Sequence, residues 1–166
     1  DLTMAEETSP ANARAKVWDL LEKFQAAMLV TQPPGGQLSA RPMSHIVRAN
    51  EGRVYILTER ATQSAKDIAA HPAALLTLAD GKRYVSLNVH GEVSTDRALI
   101  EDLWNPGAQA FWPEGASSTK VCALVLRPHG GEYWDGDNTL LAGIKLALAN
   151  LTGSPPDFGD HGTARL

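Results

Sequence analysis

Five polar residues recur at the ends of β-capable segments: Arg41 and Ser44 in one, Thr58 in the next, and Ser64 with Lys66 at the start of the short helical stretch that follows. If they converge, they hold an anion. A phosphate monoester is bound by charge-assisted donors on several sides, which Arg, Lys, hydroxyls and helix N-terminal amides supply. The same two cations also suit solvated faces, and spacing alone does not separate these readings. Other chemistries lack a foothold. No G-x-S-x-G elbow is present, and the lone Cys122 lies in the apolar run Val121–Leu126, where a buried, inert thiol is expected. The five histidines share no H-x-H or H-x-x-x-H spacing, so a metal site would need separate segments to converge. Asp135 and Asp137 sit in a turn, where aspartate serves local backbone hydrogen bonds. His45 and His90 are expected to be hydrogen-bonded structural residues rather than acid–base groups.

The elements that position these groups follow from periodicity and turn signals. Ser9-Pro10 is an N-cap with proline at the first helical position, and Val17, Leu20, Leu21 and Phe24 continue at helical spacing, which predicts a helix to about Ala27. Met28–Thr31 reads as a strand broken by Pro33-Pro34-Gly35-Gly36, and Gln37–Val47 as the returning arm, with Pro42 at a bulge or an edge. Val54–Thr58 completes a three-strand meander, and Thr62–His71 is a short helix. Strands at Ala73–Ala79 and Tyr84–Ser94 flank the hairpin signal Asp80-Gly81-Lys82, with Gly91 marking a bulge or a close backbone approach. Asp96–Leu103 is helical, and Trp104–Ser118 is an irregular, aromatic-rich stretch that must pack on something. Lys120–Arg127 is a strand, Pro128–Gly131 a turn, and Glu132–Trp134 the start of a final strand, after which Thr139–Leu151 reads helical. About six antiparallel strands with short helices between them predict a closed or nearly closed β-barrel with peripheral helices, a mainly β (α+β) architecture. A parallel dinucleotide fold is disfavoured, because strict alternation and a G-x-G-x-x-G turn are both missing.

Bulk properties narrow the partners. The 166 residues are 43% apolar and 20% charged, as expected of one globular domain, here 1–151, followed by a Gly- and Pro-rich tail, 152–166, ordered only by a neighbour. A net charge of −4 repels polyphosphate, so nucleic acid is not an expected partner. No apolar run approaches the roughly 20 residues of a membrane helix. A single cysteine and an N-terminal stretch without a signal pattern suit a cytoplasmic setting.

The run Leu38-Ser39-Ala40-Arg41-Pro42-Met43-Ser44, then Val54-Tyr55-Ile56-Leu57-Thr58 and Ser64-Ala65-Lys66-Asp67-Ile68, resembles the flavin-binding split barrels related to pyridoxamine 5'-phosphate oxidase, and within them the general stress protein branch. The resemblance extends through His90-Gly91-Glu92, Leu103-Trp104, Phe111-Trp112-Pro113-Glu114-Gly115 and Glu132-Tyr133-Trp134-Asp135, over residues 15 to 136. It implies a six-stranded antiparallel split barrel forming a homodimer, with FMN in grooves between the subunits. It further implies that Arg41, Ser64 and Lys66 hold the phosphate, that Pro42, Met43 and Ser44 run beside the isoalloxazine ring, and that Leu57 and Thr58 flank the ribityl or phosphate end. Ser86 and Trp112 are the residues it offers from the partner subunit. Three functions are compatible with it. One is a flavin-dependent oxidoreductase acting on a small redox substrate, another is a protein that stores flavin or senses redox state without turnover, and the last is a deazaflavin- or haem-binding relative. The R-x-H-like segment with which the oxidases grip their phosphorylated substrate has no match, so pyridoxamine 5'-phosphate oxidase activity itself is not expected.

Overall fold

The computed structural model describes residues 10–136 and 159–166. Within them the chain forms α1 (Pro10–Leu21), β1 (Ala27–Thr31), β2 (Ser39–Met43), β3 (Ile46–Arg48), a 3-10 turn (Ala49–Glu51) and β4 (Arg53–Glu59). There follow α2 (Gln63–Ala70), β5 (Ala73–Ala79), β6 (Arg83–Ser94), α3 (Arg97–Leu103), α4 (Pro106–Phe111), β7 (Val121–Gly136) and β8 (Gly159–Ala164). The strands build one antiparallel sheet in the order β2-β1-β5-β6-β7-β4-β3, with β8 added to β7. No helix among the described residues is long and apolar enough to cross a membrane.

Connectivity makes this sheet a barrel. β2 and β3 are opposite edges of the seven-strand path, yet only Ser44 and His45 join them. Three residue steps, from Met43 to Ile46, span at most about 11 Å. The sheet must therefore curl until its edges almost meet, leaving a split where no strand pairs with strand. The expected single arm over 37–47 and the three-strand meander are corrected here: β2 pairs β1 and β3 pairs β4, at the two ends of the path. Pro42 lies on the edge strand, where its missing N–H costs least.

Two apolar clusters sit on the two faces of the curled sheet. Inside, Leu29, Ile56, Leu76, Leu87, Leu124 and Tyr133 pack with Val17, Leu20 and Leu21 of α1. Outside, Ile100 and Leu103 of α3 cover Tyr55, Val121, Ala123 and Val125. Residues 121–126 are therefore buried on both faces and read as an unbroken apolar run, whereas the rest of β7 is covered less completely.

Strand β7 also corrects the expected turn at Pro128–Gly131. It runs straight through, with the pairing to β6 shifting so that Val89 faces Pro128 and Asn88 faces Gly130. His129 is the extra residue of this bulge. The other edge of β7 changes partner over the same residues, from β4 up to Leu126 to β8 from Gly131, so the proline falls in a gap between two ladders. Part of the expected tail, residues 159–164, belongs to the sheet as β8. Among the described residues eight strands result instead of about six: the split at Ser44–His45 and β8 each add one to the seven expected runs, and the runs at 120–127 and 132–134 fuse into β7. Helix α1 ends at Leu21 rather than near Ala27, because residues 27–31 are drawn into the sheet. The expected helix over 139–151 lies outside the described residues. At Gly91 the prediction of a close approach holds: a Cβ there would lie 2.9 Å from the Ile68 side chain, so α2 seats against β6 only over a glycine.

Candidate functional site

The split between the sheet edges opens into a cavity of about 450 Å3 with walls from three sources. The crossing segment supplies Pro42, Met43, Ser44, His45 and Ile46; β4 supplies Leu57 and Thr58; α4 and its flanks supply Asn105, Gly107, Ala108, Phe111 and Trp112. Pairing register explains why adjacent Leu57 and Thr58 differ in surroundings. Leu57 faces Ala123 in the outer layer, while Thr58 faces Cys122 in the inner one and is 8% exposed.

The aromatic wall is held from several directions. Trp112 Nε1–H donates to Glu59 Oε1 at 3.1 Å, and its ring lies 6.0 Å from Trp104 and 5.9 Å from Phe111 in tilted contacts. Phe111 remains 77% exposed, a large apolar ring left in solvent beside the cavity. The segment expected to be irregular contains α4, whose start is written locally: Asn105 Oδ1 accepts the Ala108 N–H at 3.0 Å and Pro106 occupies the first turn. Behind it, the Arg97 guanidinium donates to the carbonyls of Ala116, Ser118 and Val121, pinning the loop back to β7.

His45 stands apart in its chemistry. Its Nε2 lies 2.9 Å from the carbonyl of Leu21, in the last turn of α1. A carbonyl only accepts, so Nε2 carries the proton, and Nδ1 is the other ring nitrogen to account for. That Nδ1 is buried and has no partner.

Of the residues expected at the site, Pro42, Met43, Ser44, Leu57, Thr58 and Trp112 line this cavity. Arg41, Ser64, Lys66 and Ser86 do not. Arg41 is exposed on β2 opposite Leu29; Lys66 is exposed on α2, where Ser64 is buried. Neither cation forms an ion pair among the described residues. The Thr62 hydroxyl already takes the Ala65 N–H at the start of α2, so that amide is not available to an anion. Ser86 is half-buried on β6, between Thr77 and Glu132. His90 is exposed on β6, away from the cavity. Cys122 is fully buried; desolvation pushes its thiol up more than the nearby Arg60 and Arg97 lower it, which keeps it inert. Among the described residues no group of three or more His, Cys, Asp or Glu could hold a metal ion.

Sequence reasoning did not place Ile46, Asn105, Gly107 and Ala108 in a wall. The Asn105-Pro106 pair was a usable sign that a helix begins there, but its position over the split depends on long-range packing. His45 was expected to be structural, and its bond to Leu21 bears this out for one ring nitrogen only.

Comparison with known proteins gives the fold's relatives. The family described as pyridoxamine 5'-phosphate oxidase like matches residues 12–157. A candidate general stress protein 26 from Jannaschia sp. CCS1 has 28% identity and a TM-score of 0.76, covering 95% of this chain and 100% of that one. The general stress FMN/FAD binding protein of Xanthomonas citri has 22% identity and a TM-score of 0.68, over 81% of this chain and 96% of its own. The general stress protein 26 of Bacillus anthracis str. Sterne shares the fold at 16% identity and a TM-score of 0.65, over 75% and 95%. None of the curated proteins matches the chain.

Proposed function

The chain belongs to the pyridoxamine 5'-phosphate oxidase-like family, in its general stress protein branch, and we propose that it binds FMN at the split as a cytoplasmic homodimer and acts as a flavin-dependent oxidoreductase on a small redox substrate. One observation carries this reading: the fold brings Pro42-Met43-Ser44 and Leu57-Thr58, from opposite ends of the strand order, together with Trp112 around one cavity. Its volume lies in the range of small-molecule sites. The residues fit a flat ring with a polar edge. Chain around Pro42–Ser44, leaving an unpaired sheet edge, offers backbone donors and acceptors, and Trp112 and Phe111 offer aromatic surface.

Bound FMN supplies reversible uptake of electrons; the protein supplies placement. Leu57 and Met43 give the ring apolar contact, and Glu59 holds Trp112 in its orientation. Arg41 and Lys66, both exposed and free of ion pairs among the described residues, would hold the phosphate together with Ser64, which is buried on α2 beside Lys66. In the dimer, Ser86 and a second Trp112 approach from the partner subunit.

The test is titration of purified protein with FMN, read by absorbance, flavin fluorescence and light scattering. The expected result is one FMN per chain on a particle of twice the 17.8 kDa chain mass, reduced by NADH or NADPH faster than free flavin. Binding without faster reduction makes the protein a flavin carrier. Absence of uptake overturns the reading.

A further inference from the structure

We propose that Asp67 is a positioning residue for the phosphate end of the site: its bond to Thr31 fixes α2, with Ser64 and Lys66, against the strand pair β1–β2 that carries Arg41. This rests on the FMN reading, in which those three residues hold the phosphate, and adds to it the buried contact that sets the spacing between them.

Asp67 is 2% exposed, and among the described residues it forms no ion pair. Neutral donors satisfy its oxygens instead: the Thr31 hydroxyl donates to Oδ2 and the Gln63 side-chain amide to Oδ1, each at 2.7 Å. Thr31 is buried as well. Packing a helix on a barrel does not need this. An ionised group taken out of water costs free energy, and well-packed apolar side chains of similar size serve stability as well or better. What a carboxylate adds is direction. The other seat of α2, Ile68 over Gly91 of β6, is apolar and tolerates sliding, whereas a hydrogen bond fixes distance and angle. Asp67 and Thr31 thus set one register of α2 against β1.

That register matters because of where the two cations stand. Lys66 directly precedes Asp67 on α2, and Ser64 lies one turn before it. Across the β1–β2 ladder Thr31 faces Ser39 and Leu29 faces Arg41. Residues that face one another in an antiparallel pair project to the same side, and Met43, next but one after Arg41, packs on the inner cluster. Arg41 therefore lies on the side of the sheet where Thr31 holds α2, one diagonal step from Thr31, a step of about 7–8 Å in antiparallel sheets. One buried bond thus stands between the helix that carries Lys66 and the strand that carries Arg41. Both cations are exposed, so their convergence on one anion depends on how firmly the backbones that carry them are held.

The test compares FMN with riboflavin, which has the same ring and ribityl chain but no phosphate, on variants that alter the bond and leave Arg41, Ser64 and Lys66 in place. Thr31→Val combined with Asp67→Leu replaces the polar seat by an apolar one. Its urea midpoint is expected at or above that of wild type, with FMN affinity lowered about tenfold and riboflavin affinity held within about twofold. Thr31→Val alone should show the same split between the two flavins at a lower midpoint, because it leaves a buried oxygen without its donor. Thr31→Ser keeps the hydroxyl and should keep wild-type FMN affinity. At saturating FMN, the phosphorus NMR resonance of the bound cofactor should move towards that of free FMN in the double variant and stay in place in Thr31→Ser. An equal loss for both flavins, or no loss for either, assigns Asp67 to structure alone and overturns the inference, as does a phosphorus resonance unchanged from wild type. If wild type binds FMN no better than riboflavin, the phosphate is not read and the inference fails while flavin binding at the split stands. If wild type binds neither, both fail.

Discussion

The sheet has a closed wall and an open split, and they are built to opposite rules. In the wall, β5, β6, β7 and β4 pair along their lengths, and Leu76, Leu87, Leu124 and Ile56 are fully buried beneath them. At the split, two strand edges face each other unpaired, Arg41, Pro42 and Ser44 are exposed, and an aromatic ring as large as Phe111 stands in solvent. The difference shows where each property resides. Burial in the wall gives stability. The split contributes little burial, and its unpaired backbone is what a ligand can complete. A rigid wall behind an open edge places recognition on a segment whose ends are fixed although its middle is not in the sheet.

That division can be broken experimentally. The largest effect is expected from Arg41→Ala combined with Lys66→Ala. Each lost charge-assisted contact removes about 1.5–3 kcal/mol, so FMN affinity falls by a hundredfold or more, while the urea midpoint stays put because both side chains are exposed. Unchanged affinity would remove the phosphate from this end of the molecule. Leu124→Ala should do the reverse. It empties space in the inner cluster and costs about 2–5 kcal/mol in a urea titration, with FMN affinity of the folded protein unchanged. A parallel loss of affinity would show that wall and split are not separable. The smallest effect concerns neither region. Asp80, in the β5–β6 turn, is raised by partial burial but lowered further by the hydrogen bond from the Arg83 side chain and by the amides of Arg83 and Lys82, so its carboxyl ends below the usual 3.8. A depressed folded value means stability that is present above the unfolded pKa and lost as pH falls through the folded one. Asp80→Asn should therefore cost less than about 1 kcal/mol at pH 7, and the gap to wild type should close as the pH drops below 3.8. FMN affinity should not change at any pH where both proteins are folded.

Much of the wall was readable locally. The β-capable runs, the Asp80-Gly81 hairpin and the Asp96 cap of α3 carry their own signals, and each element formed where those signals lie. The long-range features of both regions were not. Pro128 to Gly131 looks like a turn because Pro and Gly break ladders, but in β7 they coincide with a bulge and a change of partner that only β8, some thirty residues later, makes possible. Residues 37–47 look like one strand because alternation does not show where a chain leaves one sheet edge for another. Within the site, Pro42, Met43, Ser44, Leu57, Thr58 and Trp112 were reached through resemblance, whereas the bond of His45 to Leu21 depends on a helix end more than twenty residues away.

The sequence by itself determined that the chain is a mainly β domain with one unreactive thiol, that α2 and α3 start at Thr62 and Asp96, and which short runs tie it to a flavin-binding family. Those are properties of composition and of neighbours along the chain. Only the tertiary structure decided that β2 and β3 are opposite edges joined by two residues, that the split between them is a cavity, and that His45 is tied to the end of α1. The reason is physical. Curling the sheet is a closure of the whole pairing path, set by the burial of two apolar clusters at once, and no local window of sequence contains both.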